Sequence, residues 1–494
     1  MFTVLLRGSL FAVLLSLFFM GGLVQAEDLI ISVQLDGAPE GKKDTLLSGL
    51  SIVKHQKNQL LSSKRIHRLH EQAVDELSEM LPVYGYYKAK VTSKLEKKDN
   101  IWLASYQLNL AEPVTIQAVN VTIEGEGLHD ESFQRLLENF PLKEGEVLNH
   151  EQYESAKKNL RRLAAERGYF DGELTEHRVE VSLANNKATI YLVYQSGVRY
   201  VFSKTVFPKT VINNELLLKL SPIKQGAPYL ASKVLALRSN LNNSGYFNSV
   251  SVTTLIDERQ NGVVPLAISL EPETQYRYSA GLGFGTDSGA RASLGWENRY
   301  VNNRGHRFSA GTKFSQIGNS LSADYQMPFW SPKISDVGFN AEFKNKDTDS
   351  SESRSFAVGS YYKTDRWGWN ETGSIKFLNE NFDVSEDDNT STLVIPSIAW
   401  SKTWADNSIY TRQGGRLSLS LSGASEAVLS DTTFAQMVLR GKYIQSIGEK
   451  GRFITRGALG ATDVSDFTKL PSSLRFFAGG DSSIRGFDFE SLGS

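Results

Sequence analysis

The chain of 494 residues contains no cysteine. That excludes thiolate catalysis, cysteine zinc sites and disulfides together. It also lacks a dominant charge. Lys and Arg number 54 against 55 Asp and Glu, a formal net charge of −1, so nothing argues for nucleic acid as a partner. After the first 26 residues no stretch approaches ~18 uninterrupted apolar residues, so no further helical membrane span is expected. The patterns G-x-S-x-G, H-E-x-x-H and the P-loop are missing, which argues against an enzyme.

What is present begins at the N-terminus. Arg7 is the lone charge before an apolar run from Leu10 to Met20, and Val24-Gln25-Ala26 offers small side chains at the positions a signal peptidase reads. Residues 1–26 are therefore expected to be a secretory signal cleaved after Ala26. Export without a second helical span leaves periplasm, outer membrane or outside.

A repeat follows. Gly85, Gly168 and Gly245 stand 83 and 77 residues apart, each followed by an aromatic pair: Tyr86-Tyr87, Tyr169-Phe170 and Tyr246-Phe247. Each has a leucine eight residues upstream, at Leu77, Leu160 and Leu237. A fixed period with matched punctuation signals tandem copies of one unit. In the second copy Tyr153, Ala156, Leu160, Leu163 and Ala164 have helical spacing, and Gly168 supplies the left-handed C′ residue that ends a helix. The predicted order is β-α-α-β-β, at about 27–112, 113–195 and 196–272. A small sheet covered by helices on one face keeps an edge strand for extended peptides. His67 and His70 lie three apart on the first long helix. Ordinary surface histidines are expected there, with no metal site.

Beyond about residue 272 the character changes. Six of seven Trp and 24 of 40 Gly lie there, and helical periodicity gives way to alternation. In the first such segment Tyr276, Tyr278, Ala280, Leu282 and Phe284 share one face, and Arg277, Ser279, Gly281 and Gly283 the other. Such alternation suits a soluble β-sandwich or an outer-membrane barrel. Glycine- and serine-rich polar faces, aromatics near segment ends and the export signal favour the barrel. About eleven strands are expected between 275 and 463, joined by short turns and two longer polar loops at 345–354 and 380–391. The acidic run Asp383, Glu386, Asp387, Asp388 is expected to be a solvated loop.

The repeat units resemble POTRA (polypeptide-transport-associated) domains. The tract RFFAGGDSSIRGF, with Gly479, Gly480, Ile484, Arg485, Gly486 and Phe487, resembles the hallmark of the bacterial surface antigen superfamily, which includes BamA. Arg304-Gly305-His306 resembles the glycine turn found early in those barrels. Three POTRA units point to the TamA family, the outer-membrane subunit of the translocation and assembly module. The resemblance implies an α+β periplasmic region of POTRA repeats followed by an antiparallel transmembrane β-barrel of about sixteen strands. It implies a non-enzymatic role, without cofactor, in inserting or exporting outer-membrane proteins such as autotransporters. The implied partners are those clients, a TamB-like inner-membrane-anchored periplasmic protein and outer-membrane lipid. A lipid conduit or a passive pore with periplasmic adaptors is the alternative. By the same resemblance, residues 276–284 form the first strand of a weak lateral seam, and Arg485 braces a sixth extracellular loop folded into the lumen. Residues 273–494 would then be a barrel truncated in that loop, and the tract from Gly479 onward is expected to be poorly anchored.

Overall fold

The computed structural model describes residues 30–56, 61–99, 101–285, 289–330, 334–348, 351–384, 387–448, 451–480, 483–484, 486–487 and 490–493. The expected signal peptide with Ala26 lies outside the described residues, as does Arg485. The chain divides into two compact units, Met1–Arg199 and Tyr200–Ser494.

The first unit holds two repeats. Repeat 1 comprises β1 (Ile30–Asp36), α1 (Lys43–Gly49), α2 (Ser51–His55), α3 (Ser63–Met80), β2 (Lys90–Lys98) and β3 (Ile101–Asn109). Its first helical segment is split, because Leu50 is extended between α1 and α2. The Ser62 hydroxyl accepts from the Arg65 amide and starts α3. Ile66, Leu69, His70, Ala73 and Leu77 then recur at helical spacing and are buried. They meet Trp102, Ala104, Tyr106 and Leu108, the alternate residues of β3. Strand β3 is central, parallel to β1 and antiparallel to β2. Repeat 2 has the same plan: β4 (Thr115–Glu124), α4 (Glu131–Glu138), α5 (His150–Arg167), β5 (Glu173–Ser182) and β6 (Lys187–Gln195), with β6 central. The edge strands β2 and β5 carry charge along their length, Lys90, Lys94, Lys97 and Lys98 on one and Glu173, Glu176, Arg178 and Glu180 on the other. Charge on an edge discourages indiscriminate strand pairing.

One expectation fails in repeat 1. His70 is a core residue, 8% exposed, and its Nδ1 lies 2.9 Å from the Tyr106 hydroxyl. His67 stays exposed, as expected, while its ring meets Trp102 edge-on at 5.3 Å. Both histidines therefore meet the sheet. Burial, then the neighbouring His67, holds the His70 imidazole below its ordinary value.

The second unit starts with repeat 3: β7 (Val201–Phe202), α6 (Asn214–Leu220), α7 (Ala231–Asn243), β8 (Phe247–Thr254), β9 (Val263–Val264) and β10 (Leu266–Pro272). An 11-stranded antiparallel meander follows, with neighbours in chain order. Its strands are β11 (Tyr276–Gly285), β12 (Gly289–Asn298), β13 (Arg307–Ser315), β14 (Gly318–Trp330), β15 (Ile334–Thr348), β16 (Ser351–Arg366), β17 (Trp369–Val384), β18 (Asp387–Ala405), β19 (Gln413–Ala424), β20 (Phe434–Ile447) and β21 (Gly451–Val464). The expected count is met. The two long polar loops are not: they are hairpins, with Thr348 opposite Ser351 and Asp383 opposite Asp388. Backbone pairing continues past the apolar band, where both faces are polar and the alternation signal is lost. Strand length rises from 9 or 10 residues in β11–β13 to 19 in β18. About 9–11 residues suffice to cross a bilayer, so the first strands barely span and the middle ones project beyond.

One face of the meander is apolar and the other polar. Leu282 faces Ala292, which faces Phe314, on the apolar side; Gly281 faces Ser293, which faces Lys313, on the polar side. Residues 467–474 fold onto the polar face, where Leu470 packs with Leu378, Leu393, Ile395, Ala424 and Phe434 from four strands.

Candidate functional site

Strand β11 pairs with β12 alone among the described residues. Its other side presents a ten-residue row of backbone donors and acceptors. On its apolar face Leu282 is 92% exposed, with Tyr278 and Phe284 nearly as open, and Tyr276 stacks on Trp296 at 6.2 Å. On its polar face Ser279, Gly281 and Gly283 are small. A methyl group added at Gly281 would stand 2.8 Å from the Ser293 hydroxyl, and one at Gly283 the same distance from the Arg291 side chain. Glycine here lets β12 side chains cross the strand, and it leaves β11 weakly held. Each unpaired backbone group in hydrocarbon costs several kcal/mol, so this edge demands a partner strand. Strand β21, at the opposite end of the sheet, likewise has β20 as its one neighbour among the described residues.

The inward loop is held by a residue that sequence reading passes over. Glu380 on β17 is fully buried, on the same polar face as Lys376 and Leu378. It accepts from the Ser472 hydroxyl at 2.7 Å, the Ser473 amide at 3.1 Å and the Ser473 hydroxyl. Arg475 donates to the carbonyls of Leu470 and Phe467, each at 3.0 Å, and lies over the Phe467 ring. Beyond it, described residues of the tract expected to be loose are tied down. Ala478 and Leu492 exchange two backbone bonds, the Gly480 amide donates to the Phe487 carbonyl at 2.9 Å, and Glu490 pairs with Lys346 of β15. The reason is a local turn: Gly479, Gly480 and Gly486 all have positive φ, which reverses the chain on itself. Ile484 and Phe487 are about half exposed.

The three glycine–aromatic motifs each mark the exit of a repeat's long helical segment, ahead of its last strands. Gly85 has φ 88°, and its carbonyl accepts from Val114 at the start of repeat 2. Tyr86 packs into the core of repeat 1, while Tyr87 packs into repeat 2, its hydroxyl 2.6 Å from His150 Nε2. Gly168 caps α5 with φ 88°; Tyr169 is buried and donates to Asp130 at 3.2 Å, and Phe170 is half-buried beside it. Arg167 bonds the same Asp130 oxygen at 2.6 Å, and Arg199, the last residue of this unit, approaches it at 3.4 Å. Burial opposes the Asp130 charge. The Arg167 hydrogen bond, the Ser132 amide and the charges of Arg167 and Arg199 overcome it and hold the carboxyl below its ordinary value. At the third exit Gly245 has φ 71°, and Tyr246 and Phe247 are buried. The Tyr246 hydroxyl donates to the Gly305 carbonyl at 2.7 Å, and Arg307 caps the Tyr246 ring at 4.8 Å and donates to the Ser244 carbonyl. A methyl group at Gly305, φ 77°, would lie 2.5 Å from the Tyr246 hydroxyl. The glycine turn after β12 is thus the socket into which repeat 3 docks.

Residues 32–110 match the family described as POTRA domain TamA domain 1. Residues 114–195 and 200–272 match the POTRA family, surface antigen variable number repeat, and residues 301–494 match the Omp85 superfamily domain. Among curated proteins the chain is similar to the outer membrane protein assembly factor BamA of Buchnera aphidicola subsp. Acyrthosiphon pisum. The identity is 20% over 328 residues, 64% of this chain and 51% of that protein, so the chain spans about half the length of that relative. Among solved structures it is similar to BamA from Haemophilus ducreyi lacking POTRA domains 1-3. The TM-score is 0.62 at 15% identity, covering 77% of this chain and 76% of that one. That likeness is one of fold.

Proposed function

The chain belongs to the Omp85 superfamily of outer-membrane barrels with periplasmic POTRA domains, and from that premise we propose that it inserts or exports other outer-membrane proteins by lending them a strand edge. The observation that carries this reading is β11. An incoming β-strand in hydrocarbon and the exposed side of β11 have the same unmet need for backbone hydrogen bonds, and pairing satisfies both. The short strands β11–β13 support it, because a bilayer thinned beside them lowers the barrier to a new strand. Clients of the autotransporter kind fit an edge that recognises backbone rather than side chains. The TamA-type first POTRA domain supports a TamB-like periplasmic partner, with the free edges of the POTRA sheets as surfaces on which extended segments would pair before delivery. Omp85 assembly factors are not enzymes, and the reading needs no covalent step.

The test uses the absence of cysteine. Leu282→Cys in the full chain, in cells making a newly exported outer-membrane protein with single cysteines in its last strand, should give register-specific disulfide crosslinks. Crosslinks absent at every register, with the variant folded and membrane-inserted, would refute strand templating and favour a pore or a lipid conduit.

A further inference from the structure

The joint between repeat 3 and the strand meander contains a groove of about 280 Å³ that client assembly does not use. It lies between α6, the turn 302–306 and the end of β14. This is the rim on the repeat-3 side, since β11 leaves repeat 3 and β12 returns to it. The Asn213 amide donates to the Asn303 carbonyl at 2.8 Å and fixes α6 against the turn. One wall is polar, with Glu215, Lys219, Arg304 and His306; the other is apolar, with Leu216, Pro328 and Phe329.

The placement says which solvent fills it. Phe329 belongs to the apolar face of β14, is half exposed and meets Tyr362 edge-on at 6.1 Å. His306 shares a 2.8 Å hydrogen bond with Tyr325 of the same face. The groove therefore opens outward at the level of an interfacial aromatic girdle, where lipid headgroups lie. The charges say what it takes. The Lys219 ammonium is 2.6 Å from Glu215, one turn earlier on α6, so that pair is nearly neutral. Among the described residues Arg304 forms no salt bridge of its own, but its charge acts on Glu215 in the same lining; Lys219 and Arg304 against Glu215 leave one positive charge in excess. A guanidinium fork suits a phosphate oxygen pair, and a Tyr325 hydroxyl donating to Nδ1 of His306 leaves the Nε2 proton for a third oxygen. The volume falls just below the roughly 300–1,000 Å³ range of ligand sites. It suits a headgroup, with acyl chains running up past Phe329.

We propose that this groove binds the phosphodiester headgroup of an anionic phospholipid of the periplasmic leaflet, so that one lipid seats repeat 3 on the rim. The inference requires the bilayer setting and is independent of strand templating.

The full-length protein in detergent, titrated with dioleoyl-phosphatidylglycerol and followed by native mass spectrometry, should retain one such lipid in preference to the phosphatidylcholine analogue. Arg304→Gln should weaken retention about tenfold, the loss of one charge-assisted contact, and Arg304→Lys, which keeps the charge but not the fork, should recover part of it. Excess glycerol 3-phosphate should not displace the lipid. Equal retention by wild type and Arg304→Gln overturns the proposal, as does equal retention of the choline lipid. Displacement by glycerol 3-phosphate reassigns the groove to a soluble phosphate and overturns it too. Should Arg304→Gln not fold, the His306 imidazole resonances of the wild type decide: they must shift on adding phosphatidylglycerol, and unchanged resonances refute the site.

Discussion

Glu380→Ala should release the inward loop while leaving the sheet intact. Three donors converge on this one carboxylate, and the residue has no measurable exposure, so its hydrogen bonds lose nothing to solvent screening. Hydrogen bonds to a charged group contribute ~1.5–3 kcal/mol each. Three that share an acceptor are coupled, and a loss of roughly 3–5 kcal/mol is expected. Alanine leaves the Ser472 hydroxyl and the Ser473 amide and hydroxyl facing the apolar cluster around Leu470 without an acceptor. The readout is amide exchange over 467–475, where Leu470, Leu474 and Arg475 donate to carbonyls three residues back. At ~1.4 kcal/mol per tenfold, local opening should rise by about a hundredfold or more. Exchange in α5 should not change. Glu380→Gln keeps one carbonyl acceptor and loses the charge, so an intermediate rise of about tenfold is expected. Exchange at 467–475 within a few-fold of wild type in Glu380→Ala would show that the apolar contacts of Leu470 hold the loop, and the electrostatic argument would fail.

Gly305→Ala should loosen the socket of repeat 3. A left-handed alanine costs ~1–2 kcal/mol, and the new methyl group collides with the Tyr246 hydroxyl and Leu216. Gly368→Ala is the control, having the same φ of 77° and open space around it. Spin-label distances between α7 and the turn 406–412 should broaden in the first variant and stay sharp in the second; equal profiles would refute the docking role. In repeat 1 the depressed imidazole of His70 makes stability depend on pH in a definite direction. The unfolded chain takes up a proton at about pH 6.5 and the folded one at lower pH, so stability is full above that value and is lost as pH falls below it. His70→Gln can still bond Tyr106 and should flatten that slope. Trp102, which His67 touches, reports the urea midpoint between pH 7 and 5, and parallel wild-type and variant profiles would contradict the assignment.

Period-two alternation revealed the strand count because a strand between lipid and lumen has two unlike faces. Where the strands rise clear of the bilayer, both faces meet water, and residues 345–354 and 380–391 read as loops although the backbones of the described ones are paired. Glu380 hid in that stretch. Its signal was parity, since it shares the polar face with Lys376, but a carboxylate in an acidic segment resembles solvated charge. His70 hid differently: it occupies a helical core position that a purely apolar count skips. The glycine–aromatic motifs were legible as repeats because helix termination is local. Their partners were not, since Tyr246 and Gly305 are 59 residues apart. The final tract was expected to be loose; its glycines make a turn, and only the fold could supply Lys346 as its distant partner.

The exit motifs bear on how such chains change length. At Gly85 and Gly245 the segment that ends the long helix also supplies the aromatic that meets the next element, Tyr87 for repeat 2 and Tyr246 for the turn at Gly305. At those two joints coupling is inherited with the unit, and a gene segment carrying such a motif brings its own connector. The receiving side needs little: a carbonyl held in a tight turn, as at Gly305, or an amide at a strand start, as at Val114. A chain built this way can gain or lose a periplasmic module in one recombination event without redesigning the membrane end.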